Sequence, residues 1–160
     1  VDLLRNDLSK VCTDHSIEVP DLCRIESFAQ VHHFVSTVTG VLRADRGPVD
    51  LLRACFPGGS ITGCPKIRAM EIIEGLETAR RGPYCGALGY IGFNGEMDSA
   101  IAIRTLVYAN ESVSFRVGGG IVIGSNPAEE YDETLAKAEG IFRSFELRPG
   151  MAPRERKVRT

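Results

Sequence analysis

The sequence predicts an α+β fold in which helices pack against antiparallel sheet. Helical and strand-like segments come in blocks rather than in strict alternation, which argues against a parallel α/β sheet. The hydrophobic period changes from helical to strand-like after Pro83. Short connections at 94–96 and 110–112 then predict hairpins. The 160 residues, 43% hydrophobic and 25% charged, have the composition of an ordinary globular domain.

The first half of the chain is predicted to be mainly helical with one clear strand. Pro48 and Pro65 each suit the first turn of a helix, and the first of these helices must stop before Pro57. The predicted elements, in chain order, are the end of an amphipathic helix (1–11), short extended pieces around Pro20, a β-branched strand (31–42) and two helices (48–56 and 65–77).

The second half is predicted to contain three strands followed by a helix. The strands cover residues 84–93, 97–109 and 112–124, and the short connections make antiparallel pairing the expectation. Glycines recur within them, where they weaken pairing but allow backbone to approach a ligand closely. Asn126 is the predicted N-cap of the last helix and Pro127 its first residue, followed by early acids that the helix dipole favours.

Charge and cysteine content exclude several classes of protein. The formal net charge is −2, so neither nucleic acid nor a membrane surface is indicated as a partner, and no apolar run is long enough to span a bilayer. The five cysteines form no C-x-x-C pair, which excludes a zinc site by spacing and argues against a disulfide framework. We therefore expect reduced thiols in a cytoplasmic protein.

The two ends of the chain differ from the rest. Residues 148–160 carry five basic residues against one acidic residue. We expect a disordered basic tail there, after a catalytic domain that covers residues 1–147. At the other end, VDLLRND begins directly on an apolar helical pattern with no cap before it. We therefore expect the chain to be a piece of something larger.

The loop FPGGSITGCPK (56–66) is similar to a phosphate-binding loop except in the position of its lysine. Gly58 and Gly63 frame four residues, as in G-x-x-x-x-G-K-[ST], but Lys66 comes two positions late and no Ser or Thr follows it. This departure excludes the nucleotide interpretation. Because the loop leads into a helix N-terminus, which attracts anions, a carboxylate is a better candidate ligand than a nucleotide.

The last predicted helix carries a candidate metal site. Glu130, Glu133 and Lys137 lie at i, i+3 and i+7, so they share one face. Two carboxylates one turn apart can hold Mg²⁺, and the lysine would offer a cation to an anionic substrate beside the metal. The alternative is an ordinary exposed ion pair between Glu133 and Lys137. The sequence of this helix, taken without the rest of the chain, favours that alternative.

Three other features could contact a ligand. Arg104 lies in the apolar segment AIAIRTL, where a buried arginine needs an anionic partner and an outward-facing one does not. His32 and His33 are adjacent on a predicted strand, so their rings point to opposite faces and at most one can face a given site. The glycine run 118–120 is a weak dinucleotide motif but offers bare backbone beside a ligand.

Six segments occur in an order that is typical of one family. They are VDLLRNDLSKV, VHHFVSTVTG, FPGGSITGCPKIRAMEIIE, RRGPYCGALGYIG, DSAIAIRTL and NPAEEYDETLAKA. Together they resemble the C-terminal part of the chorismate-binding enzymes, over about residues 1–145. The resemblance implies antiparallel sheets of a chorismate-binding-type β-sandwich flanked by helices, incomplete at the N-terminus, and chorismate as the substrate.

The form of the loop narrows this resemblance. PGGSITG-x-PK, with Ser60 rather than Thr, is similar to aminodeoxychorismate synthase component I, whereas anthranilate synthase component I typically has GT-x-SGAPK. The first branch, towards para-aminobenzoate and folate, aminates chorismate to 4-amino-4-deoxychorismate with Mg²⁺ and with ammonia from a glutamine amidotransferase subunit or fused domain. The alternatives are the anthranilate branch of tryptophan biosynthesis and a non-catalytic remnant that docks an amidotransferase.

The resemblance also implies a role for each candidate residue. Glu133 matches the C-terminal Mg²⁺ ligand and Glu130 its neighbour, acting directly or through water, so the metal interpretation of the last helix replaces the ion pair. The other matches are His33, Ser60 and Lys137 as the catalytic set, Tyr90 and Arg104 as residues that grip the chorismate carboxylates, and Gly118, Gly119 and Gly120 as strand amides that contact a carboxylate.

Two motifs of the family are absent from this sequence. The other Mg²⁺ glutamate would precede Val1, and the P-I-K-G-T segment, whose lysine is the covalent nucleophile of this branch, is missing. The resemblance therefore implies a C-terminal fragment with half of the metal site. We expect the isolated chain to be inactive, with exposed sheet edges.

Overall fold

The computed structural model describes residues 1–27 and 32–146, except for the side chain of residue 146. Its elements are α1 (Asp2–Ser9), β1 (Glu18–Ser27), β2 (His32–Thr39), α2 (Pro48–Cys55), a 3₁₀ turn (Gly59–Ile61), α3 (Lys66–Leu76), β3 (Ala87–Ile91), β4 (Met97–Ile101), β5 (Leu106–Ala109), β6 (Ser112–Phe115) and α4 (Pro127–Glu146). The named strands form antiparallel pairs, which confirms the predicted α+β class. The expected tail, 148–160, lies outside the described residues.

The chain divides into two units, Val1–Ala102 and Ile103–Thr160. In the first unit, the segment after α1 lies beside the segment after β2. The Thr13 amide donates to the Val41 carbonyl at 2.8 Å, and the Arg43 amide donates to the Val11 carbonyl at 3.0 Å. Val11 is buried at this junction, so the helix and the first hairpin share a small core.

Strand β1 is one continuous element rather than the two short pieces predicted around Pro20. Its pairing with β2 shifts register between Glu18 and Asp21, and again between Asp21 and Arg24. Pro20 lies in the first shift and Cys23, with a φ of 51°, lies in the second. Such bulges tolerate a residue that cannot donate to the ladder, so the proline does not end the strand.

Prolines set the starts of the next two helices, as predicted. Pro48 is the first residue of α2, and Pro65 is the N-cap residue of α3. At the start of α2, the Gly47 amide donates to the Asp50 carboxylate at 3.0 Å, which completes a local cap. The ten residues between Cys55 and Lys66 form the loop that the sequence singled out.

The predicted strand 97–109 is wrong as a single element. Strand β4 ends at Ile101 and β5 begins at Leu106, and Arg104 between them has a φ of 50°. Strand β2 pairs on both sides of Cys23, which is also left-handed, so β1 continues through it as a bulge. No such partner spans Arg104, because β4 pairs with β3 and β5 pairs with β6, so the extended run breaks there. The expected succession of three strands is therefore two separate hairpins, β3–β4 and β5–β6.

The predicted strand 112–124 is wrong beyond Phe115, where β6 ends. Gly118, Gly119 and Gly120 therefore lie outside any strand. Glycine offers no side chain to pack against a neighbouring strand and loses more backbone entropy than other residues, so a glycine run favours irregular backbone.

In the second unit, hairpin β5–β6 and helix α4 follow their local signals. Asn110 and Glu111 both have positive φ, as a two-residue type I′ hairpin turn requires. Asn126 accepts the Ala128 amide at 3.0 Å, which confirms the predicted N-cap. The Phe115 ring packs edge-on against the ring of Phe142 in α4, with centroids 5.3 Å apart. Within the described residues, no helix is both long and apolar enough to cross a bilayer.

Candidate functional site

The predicted site residues lie in both units. The first unit carries three of them and the second unit seven. They are His33, Ser60 and Tyr90 in the first unit, and Arg104, Gly118, Gly119, Gly120, Glu130, Glu133 and Lys137 in the second.

Asp7 is the centre of a polar cluster in the first unit. Its side chain is 3% exposed and accepts hydrogen bonds from Lys10 and Lys66, each with an N–O distance of 2.8 Å. Burial raises the pKa of Asp7, but the hydrogen bonds from Lys10 and Lys66 outweigh burial and hold that pKa below its ordinary value. Asp7 is therefore ionised at neutral pH. Among the residues that the structure describes, Asp7 is the charged residue that is buried.

Lys66 makes a second contact, which closes the base of the loop. Its ammonium lies 3.5 Å from the Cys55 carbonyl oxygen, at the end of α2. One cation therefore links the end of α2, the start of α3 and helix α1. The sequence held one signal for this cluster: Asp7 follows Leu3 by four positions on α1, so it carries a charge on the apolar side of an amphipathic helix, where a buried partner is required.

The loop itself rests on α1 and presents Ser60 outward. Gly59 is buried, and a Cβ built on it would lie 2.8 Å from the Leu3 Cβ, so only glycine fits. The Thr62 hydroxyl donates to the Gly58 carbonyl at 2.9 Å and tightens the turn. Ser60 is exposed and lines a cavity of about 240 Å³ that also reaches Asp7. The hydroxyl predicted to meet the substrate ring is therefore accessible.

A larger cavity, of about 490 Å³, is lined by the loop residues Phe56, Pro57 and Thr62 and by residues 77–82 and 84–86. The Arg81 guanidinium forms an ion pair with Glu77 at 2.7 Å, donates to the Ile61 carbonyl at 2.8 Å, and lies 5.8 Å from the Tyr84 ring centroid. Burial, and then the neighbouring Cys85, raise the pKa of Tyr84, so its hydroxyl remains a donor at neutral pH. Tyr84 was not among the predicted site residues.

His33 and Tyr90 do not line either of these two cavities. His33 is an exposed residue of β2, opposite Glu26 of β1. Tyr90 is opposite Asp98 in the β3–β4 hairpin and is 63% exposed. Their roles stay predictions. In this unit the tyrosine that lines a cavity is Tyr84.

In the second unit, Glu130 packs against the glycine run. Its Oε1 accepts a hydrogen bond from the Ser125 hydroxyl at 2.5 Å, and its Oε2 is buried with no hydrogen-bond partner among the described residues. A Cβ built on Gly119 would lie 2.8 Å from that Oε2. Nothing lies within 4 Å of a Cβ built on Gly120. The closeness of Glu130 to bare backbone therefore depends on the middle glycine.

Lys137 joins the same cluster. Its ammonium pairs with Glu133 Oε1 at 2.5 Å and donates to the Gly118 carbonyl at 3.2 Å. The ion pair that the sequence offered as an alternative is therefore present. The structure also brings together five predicted residues from the glycine run and α4, namely Gly118, Gly119, Glu130, Glu133 and Lys137.

Arg104 differs from the prediction of a buried strand arginine. It is exposed, lies between β4 and β5, and forms no ion pair with any described residue. The left-handed backbone at this position removes it from the ladder and leaves the guanidinium in solvent. This is the outward-facing alternative, and it leaves the guanidinium available to an anion.

Chemically, the second unit offers two carboxylates, a lysine and exposed backbone amides. Throughout residues 1–27 and 32–146, no three or more His, Cys, Asp or Glu side chains converge to hold a metal ion. A metal on α4 would therefore take two protein carboxylates, Glu130 and Glu133, and further ligands from elsewhere. Hard oxygen donors of this kind suit Mg²⁺, which keeps several of its waters.

Comparison with known proteins decides the family. The family model described as chorismate binding enzyme matches residues 1–143. The chain belongs to the chorismate binding enzyme family. The resemblance predicted from the six segments is therefore confirmed.

Relatives of two kinds match this family member about equally. It is 52% identical over 146 residues to aminodeoxychorismate synthase component 1 of Klebsiella aerogenes, and 50% identical over 150 residues to anthranilate synthase component 1 of Synechocystis sp.. Both matches cover 91% of this chain but only 32% and 30% of the relatives, so the chain spans about a third of their length. The solved anthranilate synthase component I from Streptococcus pneumoniae TIGR4 matches at 42% identity with a TM-score of 0.82, covering 88% of this chain and 32% of that one.

Asp7→Asn should destabilise the chain by about 3 kcal/mol at pH 7, because it leaves the two lysines around a neutral buried amide. Urea unfolding followed by circular dichroism measures this loss. Asp2→Asn is the matched control, since Asp2 lies on the same helix with its side chain 91% exposed. A loss no larger than that of the control would contradict the role given to Asp7.

The loss should also depend on pH. The folded pKa of Asp7 lies below its unfolded value, so the stabilisation is present above the unfolded pKa of about 4 and is lost as the pH falls through the folded pKa. Unfolding free energies of the wild type and Asp7→Asn, measured from pH 7 down to pH 2, should therefore converge at the acid end. A difference that stayed constant over this range would show that ionisation of Asp7 is not the cause.

Proposed function

We propose that this chain carries active-site residues of a chorismate-aminating enzyme of the aminodeoxychorismate synthase component I type. In that reaction, ammonia displaces the ring hydroxyl of chorismate and gives 4-amino-4-deoxychorismate. The observation that supports the proposal most strongly is the loop PGGSITG-x-PK, because it presents Ser60 to a cavity within a chain of the chorismate binding enzyme family. Ammonia would come from a glutamine amidotransferase partner, and five free cysteines are in keeping with a cytoplasmic setting.

In the second unit, Glu130 and Glu133 would hold Mg²⁺. Glu130 Oε2 is a carboxylate oxygen without a protein partner, which is the state expected of a ligand that awaits its cation. Mg²⁺ bound there would neutralise a ring carboxylate of chorismate and stabilise charge that develops as the hydroxyl leaves. Ser125 would hold Glu130 in position through its hydrogen bond to Oε1.

Lys137 would bind a substrate carboxylate. Two of its three N–H groups are directed to Glu133 and to the Gly118 carbonyl, which fixes the ammonium and leaves one donor for a ligand. Amides of the glycine run would add uncharged donors beside it. Arg104, exposed and without an ion pair to any described residue, can turn to an anion at little cost.

In the first unit, Ser60 would donate a hydrogen bond beside the substrate ring. His33 would serve as the residue that moves a proton, and Tyr90 as a carboxylate contact. Tyr84 is a further candidate, because it lines a cavity and keeps its proton at neutral pH.

The second candidate function is anthranilate synthesis. It is favoured by the 50% identity to a relative of that name, close to the 52% of the aminodeoxychorismate relative. The two reactions share chorismate, ammonia and Mg²⁺ and differ in whether pyruvate is eliminated in the same site. Overall identity therefore does not separate them, and Ser60 in place of Thr is the residue that favours amination alone.

A chimera in which this chain replaces the matching 146 residues of the Klebsiella aerogenes relative should turn over chorismate with ammonia and Mg²⁺. We expect 4-amino-4-deoxychorismate, measured as para-aminobenzoate after a lyase is added, and no anthranilate fluorescence. The unaltered relative is the control. Anthranilate as the main product would favour the second candidate, and absence of both products would contradict both.

Gly119→Ala should weaken Mg²⁺ binding by about tenfold, because the new methyl group displaces Glu130, and Gly120→Ala should not. Titration calorimetry with MgCl₂ on the 160-residue chain measures the affinity without any turnover. Gly120→Ala is the matched control, since its Cβ meets nothing within 4 Å. Equal affinities in the two variants would exclude Glu130 as a ligand.

A further inference from the structure

We propose that Asp7 is a positioning residue that sets the Ser60 loop, residues 56–65, through its ion pair with Lys66. The inference deepens the proposed function, because it rests on Ser60 as the loop group that meets chorismate. Its structural half, the control of the loop by Asp7 and Lys66, can be measured without any substrate.

The base of the Ser60 loop is closed by a single ammonium group. Lys66 is the first residue of α3 and its Nζ reaches the carbonyl of Cys55, the last residue of α2, at 3.5 Å. The same Nζ lies 2.8 Å from the Asp7 carboxylate on α1. Both ends of the loop are thus tied to one buried anion, and the loop cannot shift without breaking a charge-assisted contact.

The tip of the loop rests on the same helix. Gly59 packs so closely on Leu3 that a Cβ would approach the Leu3 Cβ to 2.8 Å. Leu3 and Asp7 are four positions apart on α1, so they lie on one face, one turn from each other. The loop is therefore attached to α1 at its base by charge and at its tip by close packing, and Ser60 follows Gly59 directly.

Burial and hydrogen bonding assign Lys66 to this role rather than to a ligand. Its side chain is 19% exposed, and its contacts are the Asp7 carboxylate and the Cys55 carbonyl. The Asp7 carboxylate is shared with Lys10, which keeps it ionised when a ligand approaches. Lys66 is therefore committed to protein groups and does not line the cavity that Ser60 lines, so it holds the loop instead of meeting a ligand there.

Hydrogen exchange of the 160-residue chain tests the structural half. Lys66→Met should accelerate exchange of the Ile61 and Thr62 amides, which donate to Gly58 and Gly59, by about tenfold relative to amides in the middle of α3. Arg68→Met is the matched control, because it removes a cation from the same helix whose partner, Glu71, is exposed. Unchanged loop exchange, or an equal rise throughout α3, would overturn the proposal.

A glycine pair gives a second test that leaves the charges intact. Gly59→Ala should accelerate the same two amides, whereas Gly58→Ala should not, because its Cβ would meet only side-chain atoms at 3.4 and 3.6 Å. If Lys66→Met fails to fold, Lys66→Gln takes its place in the comparison with Arg68→Met, and the glycine pair tests the tip of the loop by itself. Equal exchange in the two alanine variants would overturn the attachment of the loop to α1.

A double-mutant cycle in the chimera tests the link to Ser60. Lys66→Met should lower kcat by about tenfold with KM little changed, Lys66→Arg should restore part of the loss, and Lys66→Met should cost nothing further once Ser60→Ala is present. Additive losses would overturn positioning through Ser60. If the unaltered chimera turns over no chorismate, the proposed function fails, while the exchange results still decide whether Asp7 and Lys66 hold the loop.

Discussion

The buried ion pair between Asp7 and Lys66 is the interaction on which the architecture of the first unit depends. A carboxylate with 3% of its side chain exposed is costly to bury, and only partners held in good geometry offset that cost. Here the partners are Lys10, the C-cap residue of α1, and Lys66, at the start of α3. Because one buried charge must satisfy both, it holds the first residue of α3 against α1 and so limits the path of the intervening loop.

Helix starts were predictable because their causes are local. Pro48, Pro65 and the Asn126–Pro127 pair act within one turn of the residues they cap. Strand extents were less predictable. The apolar run around Arg104 has strand composition throughout, and it divides at one left-handed residue that no partner strand spans, which no local preference signals. The glycine run likewise has no side-chain pattern that could distinguish a strand from extended backbone without a partner.

The candidate site likewise contains features that the sequence predicts and features that only the folded chain shows. Glu130, Glu133 and Lys137 were predictable as a group because helical periodicity places them on one face. The approach of Gly119 to Glu130 and the pairing of Asp7 with Lys66, 59 positions apart, arise only when the chain folds. Tyr84 and Tyr90 are alike in sequence context, and only the fold distinguishes the tyrosine in a cavity from the one in solvent.

Lys66, at the base of the Ser60 loop, also determines how the loop can recognise a ligand. A phosphate-binding loop directs its lysine at the ligand, so its attraction is long-range and weakens as salt screens it. Here the lysine is bound to the buried Asp7 carboxylate and does not line the cavity that Ser60 lines, so the loop offers a ligand only a hydroxyl and amide dipoles. Such groups act over short distances and depend on angle. Selection at this loop therefore follows the shape of the ligand and the direction of its hydrogen bonds, with little dependence on its charge or on ionic strength.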